Sequence, residues 1–216
     1  MLTSIFLNVI ANISILTTAS YIFVKLIPKK KIYTLSLSQR LWMIGLSGVT
    51  SSILMLFSVK LPENVILDFR HIILILLVYY FGSSVSIPMA LLLAALRLLW
   101  GINPGSIRTA SIYIVLGLVL PYVCKKLMKW FNRYAILLML NAICVSTIAL
   151  NLFLLYDDIL LSTFICLTVL ILSSSVVIAV TLFIEDLIRI RSLFFKRART
   201  CKSGLLNWFI QYERIQ

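Results

Sequence analysis

Acidic residues are scarce in this sequence. It holds seven Asp and Glu against twenty Lys and Arg, and charged residues make up only 12% of the chain. Soluble domains are about one quarter charged, whereas 62% of this chain is hydrophobic. We therefore predict an all-α polytopic membrane protein, a bundle of six to seven hydrophobic segments.

The sequence motifs of familiar catalytic sites are also missing. It contains no GxSxG elbow, no P-loop and no HExxH helix, and its one histidine, His71, has no acid or cysteine at metal-ligand spacing. The cysteines show no CxxC spacing. We predict no enzyme activity, no metal and no cofactor. The cysteines are Cys124, Cys144, Cys166 and Cys201.

Seven apolar segments follow one another along the chain. Most are near the ~20 residues that a helix needs to cross the membrane, and the third is shorter. The third and fourth form a short hairpin over 69–101, and both a full crossing and a re-entrant loop fit its length. The predicted segments are residues 4–27, 41–59, 69–82, 84–101, 107–124, 134–155 and 159–184.

The basic residues predict the orientation. Sixteen of the twenty fall after the first segment, after the fifth, or in the tail, and loops rich in Lys and Arg stay in the cytoplasm. We therefore expect the amino terminus outside and the tail inside. The same reasoning argues against a nucleic-acid partner, because the positive clusters are separated by apolar runs of membrane-spanning length.

The hairpin carries Arg70 near its start and Arg97 near its end. Each lies 12 or 13 residues from the turn, so both should reach a similar depth on adjacent helices. A charge inside the membrane costs about 2.5 to 3.5 kcal/mol and usually faces protein or water. Arg108 follows on the next helix. Asp68 supplies part of the counter-charge, and a bound anion can supply the rest. The alternative is that the arginines only reach the outer headgroups.

The loop after Arg97 has features that suit an anion. Gly101 and Gly105 free its backbone, and Ser106 or Thr109 can cap the next helix, whose first amides attract negative charge. Ser111 lies one turn inside. The alternative is an ordinary connecting loop.

The pattern formed by Asp68, Arg70, Gly82 and Arg97, followed by a glycine-bearing loop, resembles the membrane domain of five-transmembrane receptors of the LytS/YhcK type. The resemblance covers residues 40–188, with 1–28 as an additional transmembrane helix and 189–216 as a basic tail. Two features depart from the family pattern: Ser83 follows Gly82 where proline is common, and "GINPG" replaces a tighter double glycine.

The resemblance implies a sensor of the bacterial inner membrane that binds a small carboxylate from outside and works as a homodimer. Arg70 and Arg97 match the expected binding positions, and Ser111 would line the site. Family members carry a kinase or cyclase output domain, which is absent after Asp186. Such a domain would belong to a longer chain or to a cytoplasmic partner.

The tail mixes arginines with Leu, Phe and Trp, as does a helix on an anionic membrane surface, and the start of a coiled linker is the other interpretation. Just before it, Glu185 and Asp186 can pair with Arg189 one turn on.

Two other functions fit the same residues. One is a substrate-binding membrane subunit of a small-metabolite transporter, since re-entrant hairpins are common in transporters. The other is a membrane scaffold whose arginines only contact lipid.

Overall fold

The computed structural model describes residues 2–26, 36–60, 66–67, 69–153 and 159–213. Within those residues the chain forms seven α-helices and one antiparallel pair of two-residue strands, which confirms the predicted all-α bundle. The helices are α1 (Leu2–Leu26), α2 (Leu37–Leu56), α3 (Arg70–Phe81), α4 (Ser83–Leu99), α5 (Pro104–Leu127), α6 (Arg133–Phe153) and α7 (Ile159–Glu213), and the strands β1 (Val59–Lys60) and β2 (Ile66–Leu67) lie between α2 and α3.

Several helices are built to span a membrane. In the described part of the chain, four have the length and apolar composition that a crossing needs. The apolar helices α3 and α4 are shorter, with 12 and 17 residues. At 1.5 Å per residue α3 is only about 18 Å long, against about 30 Å of hydrocarbon. The protein is a multi-pass membrane protein. The four spans are Leu7–Lys25, Pro104–Leu127, Arg133–Phe153 and Ser162–Arg191.

Six of the seven described helices form a closed ring around α3. In ring order they are α1, α2, α4, α5, α6 and α7, each packing on the next, and α7 packs back on α1. The helix α3 packs against α2, α4, α5 and α6. Its residues from Arg70 to Val78 are all buried, as expected for a helix that is apolar on every side. The short third segment is therefore the centre of the bundle.

The turn between α3 and α4 consists of one residue, Gly82. Its φ of +67° is in the region that favours glycine, and its N–H donates to the Val78 carbonyl at 3.1 Å. Tyr80, just before the turn, lines a cavity together with Arg133, the first residue of α6. The hairpin therefore extends to the end of the bundle where α6 begins, which we call the Arg133 end. The opposite end is the Trp100 end.

The helices α4 and α5 make the closest backbone approach among the glycine contacts. A methyl group built on Gly117 would lie 2.3 Å from Cβ of Ala90, closer than two non-bonded carbon atoms can come. Small residues allow such approach, and apolar helices in a membrane associate mainly through close packing. This contact fixes the register of α4 against α5.

Hydrogen bonds from polar side chains link neighbouring helices of the ring. In the buried contact between α6 and α7, Asn141 Nδ2 donates to the hydroxyls of Ser173 and Ser174 at 2.9 and 3.0 Å. Near the Trp100 end, Asn12 Nδ2 on α1 donates to the carbonyl of Phe57 at 2.8 Å. These bonds satisfy groups that membrane lipid cannot.

The last helix is longer than predicted. We expected its apolar segment to end at residue 184, but α7 continues to Glu213. Arg191 holds it against the end of α1 by donating to the Val24 carbonyl. Both roles predicted for the tail, surface helix and coiled linker, require a helix.

Because the α4–α5 contact has no room for a methyl group, Gly117→Ala should destabilise the protein by about 1 to 3 kcal/mol. Thermal unfolding of the purified protein in detergent measures this.

Gly45→Ala is the matched control, since a methyl group there meets nothing within 4 Å. It should be neutral or slightly stabilising, because alanine favours helix. Equal stability of the two variants would contradict the close contact.

Candidate functional site

Both predicted arginines lie inside the bundle. Arg70, the first residue of α3, is 2% exposed, and Arg97, in the last turn of α4, is 7% exposed. Arginine is almost never this buried unless its charge is compensated. Neither side chain therefore extends to lipid headgroups in the way that the scaffold interpretation requires.

The register of α4 and α5 sets the depth of Arg97. Ala90 faces Gly117. The helices are antiparallel, so Arg97, seven residues after Ala90, lies at the level of Ala110, seven residues before Gly117. Tyr113 is four residues from Gly117, and it therefore lies about 4.5 Å deeper than Arg97. Side chains lean toward the start of their own helix, so in this antiparallel pair Arg97 and Tyr113 lean toward each other.

A direct contact with Tyr113 brings Arg70 to the same level of the bundle. Its guanidinium carbon lies 5.5 Å from the centre of the Tyr113 ring, within the range of a cation–π interaction. Arg70, Arg97 and Tyr113 thus form a buried level near the Trp100 end, which we call the arginine layer.

The start of α3 adds positive potential to this layer. It carries the positive end of the helix dipole at Arg70, and the residue at its N-cap position, Phe69, makes no capping hydrogen bond through its side chain. Between Asp68 and Asp157 the sequence contains no acidic residue. Asp68, predicted to pair with Arg70, lies outside the described residues.

Two predicted binding residues lie elsewhere. Arg108 and Ser111 are exposed on α5, whereas its buried face carries Ser106, Ala110 and Tyr113. The Ser111 hydroxyl donates to the Ile107 carbonyl of its own helix at 3.0 Å. Ser111 and Tyr113 are two residues apart, which is 200° around a helix, so they face opposite directions. The structure does not bring Arg108 or Ser111 to the buried pair.

The predicted loop glycines differ in role. Gly101 has a φ of +144°, which only glycine adopts readily, whereas Gly105 lies in the first turn of α5. The predicted cap at Ser106 or Thr109 is wrong. Asn103 caps α5 instead, with its Oδ1 accepting from the Ser106 N–H at 2.7 Å. Proline suits the first helical position, so Pro104 moves the helix start forward.

A second polar cluster lies at the Arg133 end. Arg133 on α6 forms an ion pair with Glu185 on α7, and the Tyr134 hydroxyl donates to the same carboxylate at 3.1 Å. Glu185 thus has a partner on the neighbouring helix. The predicted pairing of Glu185 and Asp186 with Arg189, one turn along α7, stays a prediction. Exposed ion pairs contribute little to stability. We assign this cluster a role in joining α6 to α7.

Sequence reasoning missed Tyr113. It lies in an apolar run, and its place beside Arg70 depends on the register between helices. The available signal was the spacing of Ser106, Ala110, Tyr113 and Gly117, which places small and aromatic residues on one helix face.

Comparisons with known proteins give little further information. No protein-family model matches the chain, and no curated protein matches its sequence. Among solved structures it is similar to the S component of a bacterial ECF transporter, at 18% identity and a TM-score of 0.45, covering 74% of this chain and 99% of that one. A likeness of this strength establishes neither family nor function. The resemblance to LytS/YhcK receptors stays a prediction.

Replacing Tyr113 by leucine should remove the aromatic face beneath Arg70 and cost about 1 kcal/mol of stability, whereas Tyr113→Phe should retain most of it. Thermal unfolding of the two variants in detergent measures the difference. If phenylalanine were as destabilising as leucine, the phenolic hydroxyl and not the ring would be the important group.

Proposed function

We propose that this protein binds a small anion, such as a carboxylate or phosphate, within the membrane, and that it serves as the substrate-binding membrane subunit of a transporter. The observation that supports this proposal is the burial of Arg70 and Arg97 at one level of the bundle, on helices that pack against each other.

Guanidinium groups suit this ligand. Each presents a planar fork of N–H donors that matches the two oxygens of a carboxylate or two oxygens of a phosphate. Inside the bundle such charge-assisted bonds are strengthened because water is largely excluded. An anion between the two groups would also offset the cost of burying two like charges.

The layer has a direction of access. It lies near the Trp100 end, which the distribution of Lys and Arg predicts to be outside the cell. The short central helix begins there at Arg70, below the level that a full membrane-spanning helix would reach. A ligand from outside would meet the two guanidinium groups before any other part of the central helix.

A binding subunit fits the remaining sequence. The chain has no nucleotide-binding motif, so movement of the anion would require a separate energising partner. Among the residues that the structure describes, the polar groups of the arginine layer face the ring interior, as expected for a site that encloses its ligand.

Sensing is the second candidate, favoured by α7. This helix continues for 55 residues, about 80 Å, from the bundle through the predicted cytoplasmic tail. A continuous helix can transmit a displacement from a binding site to an output partner, provided that the ligand prefers one of two arrangements.

Binding of succinate, lactate and inorganic phosphate, measured by thermal shift and calorimetry in detergent, tests the proposal. Arg70→Gln and Arg97→Gln should each weaken binding on the order of a hundredfold, because each removes one partner of a buried charged contact. Arg97→Lys should also weaken it, since lysine retains the charge and loses the fork.

Arg108→Gln is the matched control, because it removes an arginine that is exposed on α5. It should bind as the wild type does. Undiminished binding by the folded Arg70→Gln and Arg97→Gln proteins, or no binding of the three anions to the wild type, would overturn the proposal.

Transport and sensing are separated by two measurements. Uptake of labelled succinate into vesicles that contain the protein and an ATP-driven partner supports transport. Spin labels at Leu193→Cys and Lys129→Cys, in a background without the native cysteines, report movement of α7. A ligand-dependent change in their separation without uptake supports sensing.

A further inference from the structure

Ser51 differs from the other hydroxyl residues in the middle of α2. Ser47, Thr50 and Ser52 each donate to the carbonyl four residues earlier, at 2.7, 2.7 and 3.0 Å. The Ser51 side chain is completely buried, and its Oγ has no hydrogen-bond partner among the residues that the structure describes. Buried hydroxyl groups rarely lack a hydrogen-bond partner, because leaving a buried polar group without one costs free energy.

The register of α2 against α4 places this hydroxyl. A methyl group built on Gly48 would lie 2.7 Å from Leu92 Cδ2, and farther along Ser52 and Leu96 line the same groove. The two helices run in the same direction, so Ser51 lies at the level of residue 95. That is about 3 Å below Arg97 and close to the level of Tyr113.

Ser51 also faces the correct side. Ser47, Ser51 and Leu54 are buried and spaced one helical turn apart, so they lie on one face of α2. In the ring, α2 packs on one side of α4 and α5 on the other, while the central helix contacts all three. Ser51 and Tyr113 therefore lie on either side of Arg97.

We infer that Ser51 is a third ligand-binding group, whose hydroxyl donates a hydrogen bond to the same small anion that Arg70 and Arg97 bind. This inference rests on the proposed function. It adds a contact from α2 to contacts from α3 and α4, so the bound anion would join three helices. The open hydrogen-bonding capacity of Ser51 would then be used only when the anion is present.

The test compares Ser51→Ala with Ser47→Ala. Both replace a fully buried serine of the same helix face, one turn apart, but Ser47 already donates to its own helix. Affinity for succinate, lactate and phosphate is measured by calorimetry on the full chain in detergent, together with the unfolding temperature without added anion.

We expect Ser51→Ala to weaken binding of the preferred anion about tenfold or more, as for a lost hydrogen bond to a charged group. Its unfolding temperature without the anion should not fall, because no described bond of the protein is removed. Ser47→Ala should retain full affinity, and Ser51→Thr, which keeps the hydroxyl, should bind better than Ser51→Ala.

The outcomes separate the two proposals. If Arg70→Gln and Arg97→Gln lose binding while Ser51→Ala binds as the wild type does, the role of Ser51 is wrong and the anion site stands. A lower unfolding temperature for Ser51→Ala with unchanged affinity would make Ser51 a packing residue. If none of these variants alters binding, the anion site itself is overturned.

Discussion

Burial of two guanidinium groups is the constraint on which this bundle depends. Arg70 and Arg97 are almost completely enclosed at one level, although a desolvated charge is among the most unfavourable groups a protein can contain. The cation–π contact of Arg70 with Tyr113 offsets part of that cost. The proposed anion would offset a further part of it.

The placement of α3 explains how the arginines become buried. A mostly apolar helix of 12 residues is too short to cross a membrane alone, and it is stable here because the surrounding helices enclose it. Its first residue therefore lies within the bundle and not at the membrane surface. Packing against α4 and α5 then brings Arg70 beside Tyr113 and close in depth to Arg97.

Much of the fold was predictable from the sequence. The seven segments agree with the helices because apolar length and basic flanks are local properties, and Gly82 was correctly placed at the hairpin turn. The capping residue of α5 was missed because Asn103 and Ser106 are both good caps, and Pro104 favours the earlier one. The tail was predicted to be helical, but its continuity with the last membrane span was not, because the tail lacks the apolar composition of a span.

The site was less predictable. The depth of the arginines follows from counting residues along the hairpin, but the roles of Arg108 and Ser111 required knowing which face of α5 is buried. Tyr113 and Ser51 depend on the registers of α5 and α2 against α4, which the contacts at Gly117 and Gly48 fix. Such registers are properties of helix pairs and cannot be counted along one segment.

The contact between Ala90 and Gly117 has a mechanical consequence. Two helices in such close contact cannot slide past each other without separating, so α4 and α5 behave as one rigid unit. On the opposite side of the central helix, α1 faces α3 across a small apolar cavity of about 30 Å³, the share of volume of about one water molecule. Any rearrangement that preserves the contact at Gly117 therefore moves α4 and α5, and with them Arg97 and Tyr113, as one unit.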